Sequence, residues 1–348
     1  MRFKFDVLTT EKDTLMTSHH RQVLHALALV GSLCLLATPP TSAQQPAASL
    51  GVEVVLLGTA GGPVPQVNRS QAATAIIANG QVYLFDAGNG TPRQLATAGI
   101  EFRRVGHIFI THHHDDHNAD VGTLVGLSWS LSREEPIRVF GPLGTTELRA
   151  GFLRAFNANA QIRSADFGFY KITPEQFFQA TDIADSGPVY SDDNITVTSA
   201  ENCHYHFSFP QHAPSGHKSY AYKVRAGANT IVISGDTGPC EERLVPFAKG
   251  AGMLVHEVIN LPLMEQYIRG HGVPEPMLKT YMRHMADDHS TPEQTGSLAR
   301  KAGVKHVVLT HFVPGSPSDG DAAYSEDLRA NFAGEVTVGK DLTRLTLP

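Results

Sequence analysis

The segment Thr111-His112-His113-His114-Asp115-Asp116-His117 constrains this chain more than any other part of it. It places four imidazoles and two carboxylates in seven residues, directly behind the apolar run His107-Ile108-Phe109-Ile110. A β-branched and aromatic run that ends abruptly in polar residues reads as a buried strand carrying its C-terminal loop to a site. His112 and His114 are two apart, so their rings can project to one side, while Asp116 and His117 can face a second point close by. Neutral imidazole and carboxylate are the donors that zinc, iron and manganese take, so the loop is read as built for two metal ions. A solvated histidine tract or a purification tag has no strand before it and no carboxylate at a fixed position.

Three further apolar runs end in residues of the same kind. A strand over 195–198 leads to Ala200-Glu201-Asn202-Cys203-His204, one over 230–234 to Gly235-Asp236-Thr237, and one over 307–310 to His311-Phe312. One Asp at a strand end is usually a cap or turn residue; four such endings in one chain are a pattern. The other elements fit around them. A strand over 52–57 ends in Gly58-Thr59-Ala60-Gly61-Gly62, which lacks the Lys-Ser/Thr of a phosphate loop. Strands over 73–77 and 81–85 form a hairpin about Asn79-Gly80. Helices are expected over 91–98, about 119–132 and 291–302, and further strands over 137–140, 220–225, 253–258 and 306–310. Residues 143–191 hold a helix over 145–157 and then aromatic and acidic segments without a clean period, and read as an insertion over the active face. Two β-rich halves with interspersed helices predict an α+β chain folded as a four-layer αββα sandwich.

Residues 1–43 read as an export segment and 44–348 as the folded domain. An apolar run over 22–37 follows His19-His20-Arg21 and ends in Thr38-Pro39-Pro40-Thr41-Ser42-Ala43, a small-residue cleavage pattern. The run is short for a membrane span; an uncleaved anchor is the alternative, and Met16 offers a second start. The mature chain is expected in the periplasm or secreted, where Cys203 and Cys240 can form a disulfide. The formal charge of −6 argues against a broad nucleic-acid footprint.

Taken together, the chain resembles the metallo-β-lactamase-fold superfamily, and within it the ribonuclease Z and arylsulfatase-like branch. The matching pieces run in order: Gly58-Thr59-Ala60-Gly61-Gly62, Leu84-Phe85-Asp86-Ala87-Gly88-Asn89-Gly90-Thr91, the HxHxDH loop, Ser234-Gly235-Asp236-Thr237, Val255-His256-Glu257, His289-Ser290-Thr291 and Leu309-Thr310-His311-Phe312. The resemblance implies two divalent ions, Zn2+ first with Mn2+ or Fe2+ as alternatives. His112, His114 and His204 would hold one ion, Asp116, His117 and His311 the other, with Asp236 bridging. His206 is the runner-up for His204, and His212 and His217 read as solvated or rim residues. It further implies hydrolysis by a metal-activated hydroxide, with Asp116 orienting or deprotonating the water. His289, partnered by Glu257, would donate a proton to the leaving oxygen or steady the charged phosphoryl oxygens.

Departures from the family pattern bear on substrate. The projecting basic, glycine-rich arm of ribonuclease Z is missing: in residues 143–191 Glu147, Asp166, Glu175, Asp182 and Asp185 face only Arg149, Arg154, Arg163 and Lys171. Asn89 stands where the family's Asp-x-Gly-Glu-Gly loop has Glu. Nucleic acid is therefore not expected as a partner. The expected substrate is a small phosphodiester or aryl sulfate ester, with a lactonase or other carboxylic ester hydrolase as the alternative on the same ions. Zinc β-lactamases carry Cys or Ser where Asp236 stands. A di-iron redox relative would carry Glu in place of His114, and a non-catalytic module would have lost a ligand. Phe167, Phe169, Tyr170, Phe177 and Phe178 either shape an apolar pocket for an aryl leaving group or pack within the insertion. No stable membrane partner is expected once the export segment is cleaved, and an oligomer is left open.

Overall fold

Along β1 (Val52–Gly58), Val54 and Leu56 point to one face and Val55 and Leu57 to the other, and all four are fully buried. Side chains alternate across a strand, so a strand apolar on both faces must belong to a sheet covered on both sides. The computed structural model describes residues 51–207, 215–315, 320 and 322–347; the expected export segment and His212 lie outside them. Among the described residues there are two seven-stranded sheets. The first runs in the order β14 (Arg344–Leu347), β1, β2 (Ala73–Ala78), β3 (Gln81–Phe85), β4 (Val105–Phe109), β5 (Ile137–Pro142), β6 (Phe178–Ile183). The second runs β13 (Glu335–Val338), β12 (His306–Val313), β11 (Met253–Ile259), β10 (Asn229–Ile233), β9 (Tyr220–Ala226), β8 (Thr196–Glu201), β7 (Gly187–Ser191).

Three apolar layers hold the sheets and helices together. Leu56, Tyr83, Phe109, Tyr222, Val255 and Val308 interdigitate between the sheets. The outer face of the first sheet packs on α1 (Thr91–Thr97), α3 (Val121–Ser130), α4 (Thr145–Phe167) and α5 (Pro174–Phe177) through Leu95, Leu124, Trp129, Ala160 and Phe177. The outer face of the second packs on α6 (Glu241–Phe247), α9 (Pro292–Ala302) and α10 (Ala322–Asn331) through Leu244, Leu298 and Leu328. This is the expected αββα sandwich. The hairpin between β2 and β3 turns through Asn79 and Gly80, both at positive φ (48° and 80°), the two-residue turn whose twist suits the strands.

Strand direction puts the chemistry at one end. β3, β4, β5 and β6 are mutually parallel, and β1, two antiparallel steps from β3, runs their way. In the second sheet β10, β11, β12 and β13 are parallel, and β8 runs with β10 by the same two-step argument. Every strand ending singled out in the sequence is thus a C-terminal end on a common edge of its sheet.

Residues 143–191 depart from their expected plain insertion in their local structure. They supply an edge strand to each sheet, β6 paired in parallel with β5 and β7 antiparallel with β8, and α4 extends ten residues past the expected helix end, to Phe167. Their aromatic residues do not form a substrate pocket. Phe177 and Phe178 are fully buried in the outer layer, and Tyr170 stacks on Trp129 with ring centroids 4.1 Å apart. Phe167 and Phe169 are exposed. Packing against the first sheet removes more apolar surface from water than lining an open cavity would. Among the described residues no helix is long and apolar enough to cross a membrane.

Asp341, in the loop between β13 and β14, pins the glycine loop that follows β1. Its carboxylate accepts hydrogen bonds from Thr59 N (3.0 Å), Thr59 Oγ1 (2.7 Å), Ser70 N (2.6 Å) and Gln94 Nε2 (2.7 Å). Asp341→Ala leaves two backbone N–H groups without this acceptor, and is expected to lower stability by about 2–3 kcal/mol in urea unfolding. A loss under about 0.5 kcal/mol would remove Asp341 as the pin of that loop.

Candidate metal centre

Site construction begins at Asp86, just past β3. It sits at φ 59°, a left-handed conformation that Asp tolerates better than most residues. That turn aims its carboxylate across to the end of β4, where it accepts from Thr111 N (2.8 Å) and Thr111 Oγ1 (2.9 Å). His117 Nδ1 lies 2.9 Å from the same carboxylate and donates to it, which leaves Nε2 facing inward. The short helix α2 (Asp115–Asn118) buries Asp116 and His117 and leaves Asp115 outside. Gly88 permits this crossing: a Cβ there would lie 2.0 Å from the Asp116 carbonyl oxygen.

His112, His114 and His204 form the first group. His114 Nδ1 is 3.1 Å from His112 Nε2 and 3.2 Å from His204 Nε2. The other ring nitrogens of the two buried histidines are taken. His112 Nδ1 is 3.0 Å from Thr111 Oγ1, and His204 Nδ1 donates to the Asp288 carbonyl at 2.9 Å. Both rings therefore turn Nε2 to the common point, as oriented metal ligands do. Imidazole nitrogens about 2.0–2.1 Å from a tetrahedral zinc stand roughly 3.3 Å from one another, close to the spacing found.

Asp116, His117 and His311 form the second group, and Asp236 stands between the two. Asp236 Oδ1 is 3.3 Å from His117 Nε2; Oδ2 is 3.1 Å from His311 Nε2, 3.8 Å from His112 Nε2 and 4.0 Å from His204 Nε2. Asp116 Oδ2 is 3.2 Å from His311 Nε2 and accepts from Gly62 N at 2.9 Å, so the glycine loop after β1 serves to hold this carboxylate. His117 Nε2 and Asp236 Oδ1 are both buried without a well-formed hydrogen bond, although they lie close together. Buried polar atoms without partners are costly, and divalent cations at these two groups of donors would satisfy them. The donor set fits such ions.

His311 reaches the site by a strand irregularity. β12 runs on through it to Val313, whereas the sequence suggests a strand ending at Thr310. His256 pairs with Leu309 and Val258 with Phe312, so one β11 residue faces two on β12. The bulge sets His311 at φ 46° and re-aims its ring to the edge of the sheets.

The electrostatics divide along the same line. Burial holds His112 well below the usual histidine range, lowers His114, and takes His204 down to about 3; neighbouring imidazoles add to the effect. These three are neutral, the form that binds metal. Burial also acts to lower His117, but Asp236, Asp116 and Asp86 outweigh it and raise it well above its ordinary value. Burial would raise Asp116 and Asp236, yet the histidines lower both: His117 and His311 for Asp116, His311 and His117 for Asp236.

Glu257 and His289 stand beside these groups. Glu257, fully enclosed in β11, takes Ser290 N at 2.6 Å on Oε1 and His289 Nδ1 at 3.3 Å on Oε2. Burial would lower His289, but Glu257's charge and hydrogen bond, with Asp236 behind them, raise it to about 9. His289 lines a cavity of about 650 Å³ with His114, Asp116, Asp236 and His311. The structure thus brings together every residue singled out for the site. It seats His204 rather than His206 among the donors; His206 instead meets Asp288 Oδ1 at 3.1 Å, and half-buried His217 lies beside Gly144. Sequence reasoning missed the orienting groups Asp86, Thr111 and the Asp288 carbonyl. Asp86 had a legible signal, an acid between a strand and the Gly88-Asn89-Gly90 turn; a backbone carbonyl has none.

Known proteins share this sequence pattern and fold. The model of the beta-lactamase superfamily domain matches residues 81–312, a span that holds every donor above. Ribonuclease Z of Mycobacterium avium is 31% identical over 303 residues, covering 84% of this chain and 98% of that protein. Among solved structures, the metallo-beta-lactamase fold protein YhfI from Bacillus subtilis superposes with a TM-score of 0.61 at 17% identity, over 85% of this chain and 98% of that one. Human tRNase Z, short form, does so with a TM-score of 0.58 at 21% identity, over 85% and 99%. These relatives overturn the expectation that nucleic acid is not a partner, since the similar curated proteins are ribonucleases. A net charge of −6 describes a whole surface, whereas a cluster of metal-type donors can engage a single phosphate locally. The chain belongs to the metallo-β-lactamase superfamily, in its ribonuclease Z-like branch, and is a metal-dependent hydrolase of ester bonds.

Proposed function

We propose that this protein is a phosphodiesterase holding two divalent ions, Zn2+ foremost. His112, His114 and His204 would hold one, Asp116, His117 and His311 the other, with Asp236 placed between them. The observation that carries the reading is the position of Asp236, which reaches both groups: Oδ1 lies 3.3 Å from His117 Nε2, and Oδ2 lies 3.1 Å from His311 Nε2, 3.8 Å from His112 Nε2 and 4.0 Å from His204 Nε2. Ions bound there lower the pKa of water and polarise a phosphoryl oxygen.

The chain's own residues supply the rest. Asp116, fixed by Gly62 N, is placed to orient a water or accept its proton. His289, held through Nδ1 by Glu257, keeps Nε2 for the substrate, and the charge of Glu257 favours its protonated form. It donates that proton to the leaving oxygen or to a charged phosphoryl oxygen, as phosphoryl transfer requires. A phosphodiester is favoured because the ribonuclease Z relatives cleave such bonds by name, and an RNA end is as admissible as a small diester. Export is part of the proposal. The Cys203–Cys240 disulfide, which joins the loop of His204 to the one after Asp236, supports an oxidising compartment.

Zinc-loaded protein is expected to hydrolyse bis(p-nitrophenyl) phosphate, and His114→Ala to abolish turnover; metal-bound protein without activity would sink the phosphodiester reading in favour of sulfate esters or lactones. His289→Gln is expected to lower kcat by roughly 10²–10⁴-fold. Wild-type kcat should fall as pH rises through His289's folded pKa, at or below about 9, since bound cations disfavour its protonated form. An alkaline limb unchanged in the variant would assign that limb elsewhere. Asp86→Asn keeps a side chain that tolerates φ 59° but weakens the acceptor for His117. Calorimetry should find divalent-ion affinity reduced by about 10–100-fold. Unchanged affinity would mean that Asp86 does not orient His117 as a ligand.

A further inference from the structure

Donors form only one part of the cavity beside them. The apolar part of its remaining lining comes from Met264 and Tyr267 on α7 (Leu261–Gly270), Met285 on α8 (Glu275–Asp288), and Val64 and Val67 in the loop after β1, with Gln66, Asn68, Asp115 and His284 as polar neighbours. Val67 is 98% exposed, Val64 53% and Tyr267 36%, so large apolar side chains are left in water next to a polar centre. Contiguous exposed apolar surface beside a site marks binding more often than packing.

Chain economy points the same way. β11 and β12 are parallel neighbours, and one crossover helix suffices to join such strands. α9 is that helix and packs on the sheet. The α7–α8 excursion is additional, and only its end is tied firmly to the centre. Asp288 is buried there: its carboxylate meets His284 Nδ1 at 2.5 Å and His206 Nδ1 at 3.1 Å, while its carbonyl takes His204 Nδ1 at 2.9 Å. The helix that carries Met285 is thus registered to a donor histidine. Among the described residues no Lys or Arg lines the cavity, so no track of Lys and Arg cations extends away from the donors, and Met264, Tyr267 and Met285 offer carbon and sulfur surface instead.

We infer that the α7–α8 hairpin and the Val64–Val67 loop select phosphodiesters that bear an apolar planar group, an aryl ring or a nucleobase, on the ester oxygen that stays with the phosphate when the leaving group departs. This rests on the phosphodiesterase reading and names its substrate class. Tyr267 offers a ring face or edge, and Met264 and Met285 offer polarizable sulfur that adapts to a flat ring. The aromatic residues of 143–191 are committed to the outer layer or lie away from the cavity, which leaves selection to this wall.

Three esters with the same p-nitrophenolate leaving group test it: methyl, phenyl and thymidine 5′-(p-nitrophenyl) phosphate, assayed with the zinc-loaded full chain. The phenyl and thymidine esters are expected to exceed the methyl ester by roughly tenfold or more in kcat/KM, mostly through KM, as burial of a ring predicts. Tyr267→Ala combined with Met264→Ala should shrink that ratio to about threefold or less. Leadership by the thymidine ester identifies the ring as a nucleobase; leadership by the phenyl ester identifies an aryl ester. Equal handling of all three esters by the wild type overturns the inference while the phosphodiesterase reading stands, and needs no variant to fold. A ratio undiminished in the double variant overturns it too. Absence of turnover on every ester removes both.

Discussion

A single buried carboxylate, that of Asp236, organises this molecule. It is almost wholly enclosed, with His112, His117, His204 and His311 each having a ring nitrogen within 4.0 Å of one of its oxygens. A charge so placed is unfavourable unless cations or donors surround it. Those surroundings come from both sheets: the end of β4 in one, and of β8 and the bulge of β12 in the other. The sandwich must close in one register for the set to assemble, since a slip of one residue along any of these strands would turn its donor away. Local charge balance and global packing therefore constrain each other.

Loops carrying the donors are interlaced behind the site. Asn202 Nδ2 donates to the Ser234 and Asp236 carbonyls at 2.8 and 2.9 Å, and Gly238 N donates to the Cys203 carbonyl at 3.1 Å. Ser290 Oγ donates to the Thr237 carbonyl at 2.7 Å, bringing in the segment that bears His289. The disulfide closes the same knot between the loops of His204 and Asp236. A donor set must be held within a few tenths of an ångström to bind well, and loops alone do not offer such stiffness. Cross-loop bonds to backbone carbonyls supply it without adding charge to an already crowded centre.

Much of this was legible because a strand running into His or Asp is a local pattern. The HxHxDH loop and Asp236 follow an apolar run almost directly, and His204 follows one within six residues. His311 was legible as a residue but not in its setting, because a bulge is a relation between two strands and leaves no mark on either alone. The edge strands β6 and β7 were missed for a related reason: partly exposed, with burial that does not alternate cleanly, they lack the period that announces a half-buried strand. The aromatic residues next to β6 show composition misleading in the other direction. Phe177 and Phe178 suit a pocket by type, yet the first sheet needed covering, and burial there won.

Charge misled for a similar reason, by being averaged. A formal −6 and a near-neutral 143–191 segment both speak of surfaces, while the chemistry of a phosphodiester is concentrated at one phosphate held by a few groups. The donor constellation decides which bond can break, since it sets where a water, a proton and a phosphoryl oxygen can lie. It says little about the groups beyond the phosphate, because those never touch it. That task falls to whatever elements rise beside the donors, and in this chain they are α7, α8 and the loop after β1. Each connection is tied at one end to a residue that holds the site itself. Gly62 binds Asp116 at one end of the loop, and Asp288 binds His204 at the end of α8. Wall and centre are thus mechanically joined, so a substrate that fits the wall presents its phosphate to the donors in a fixed pose.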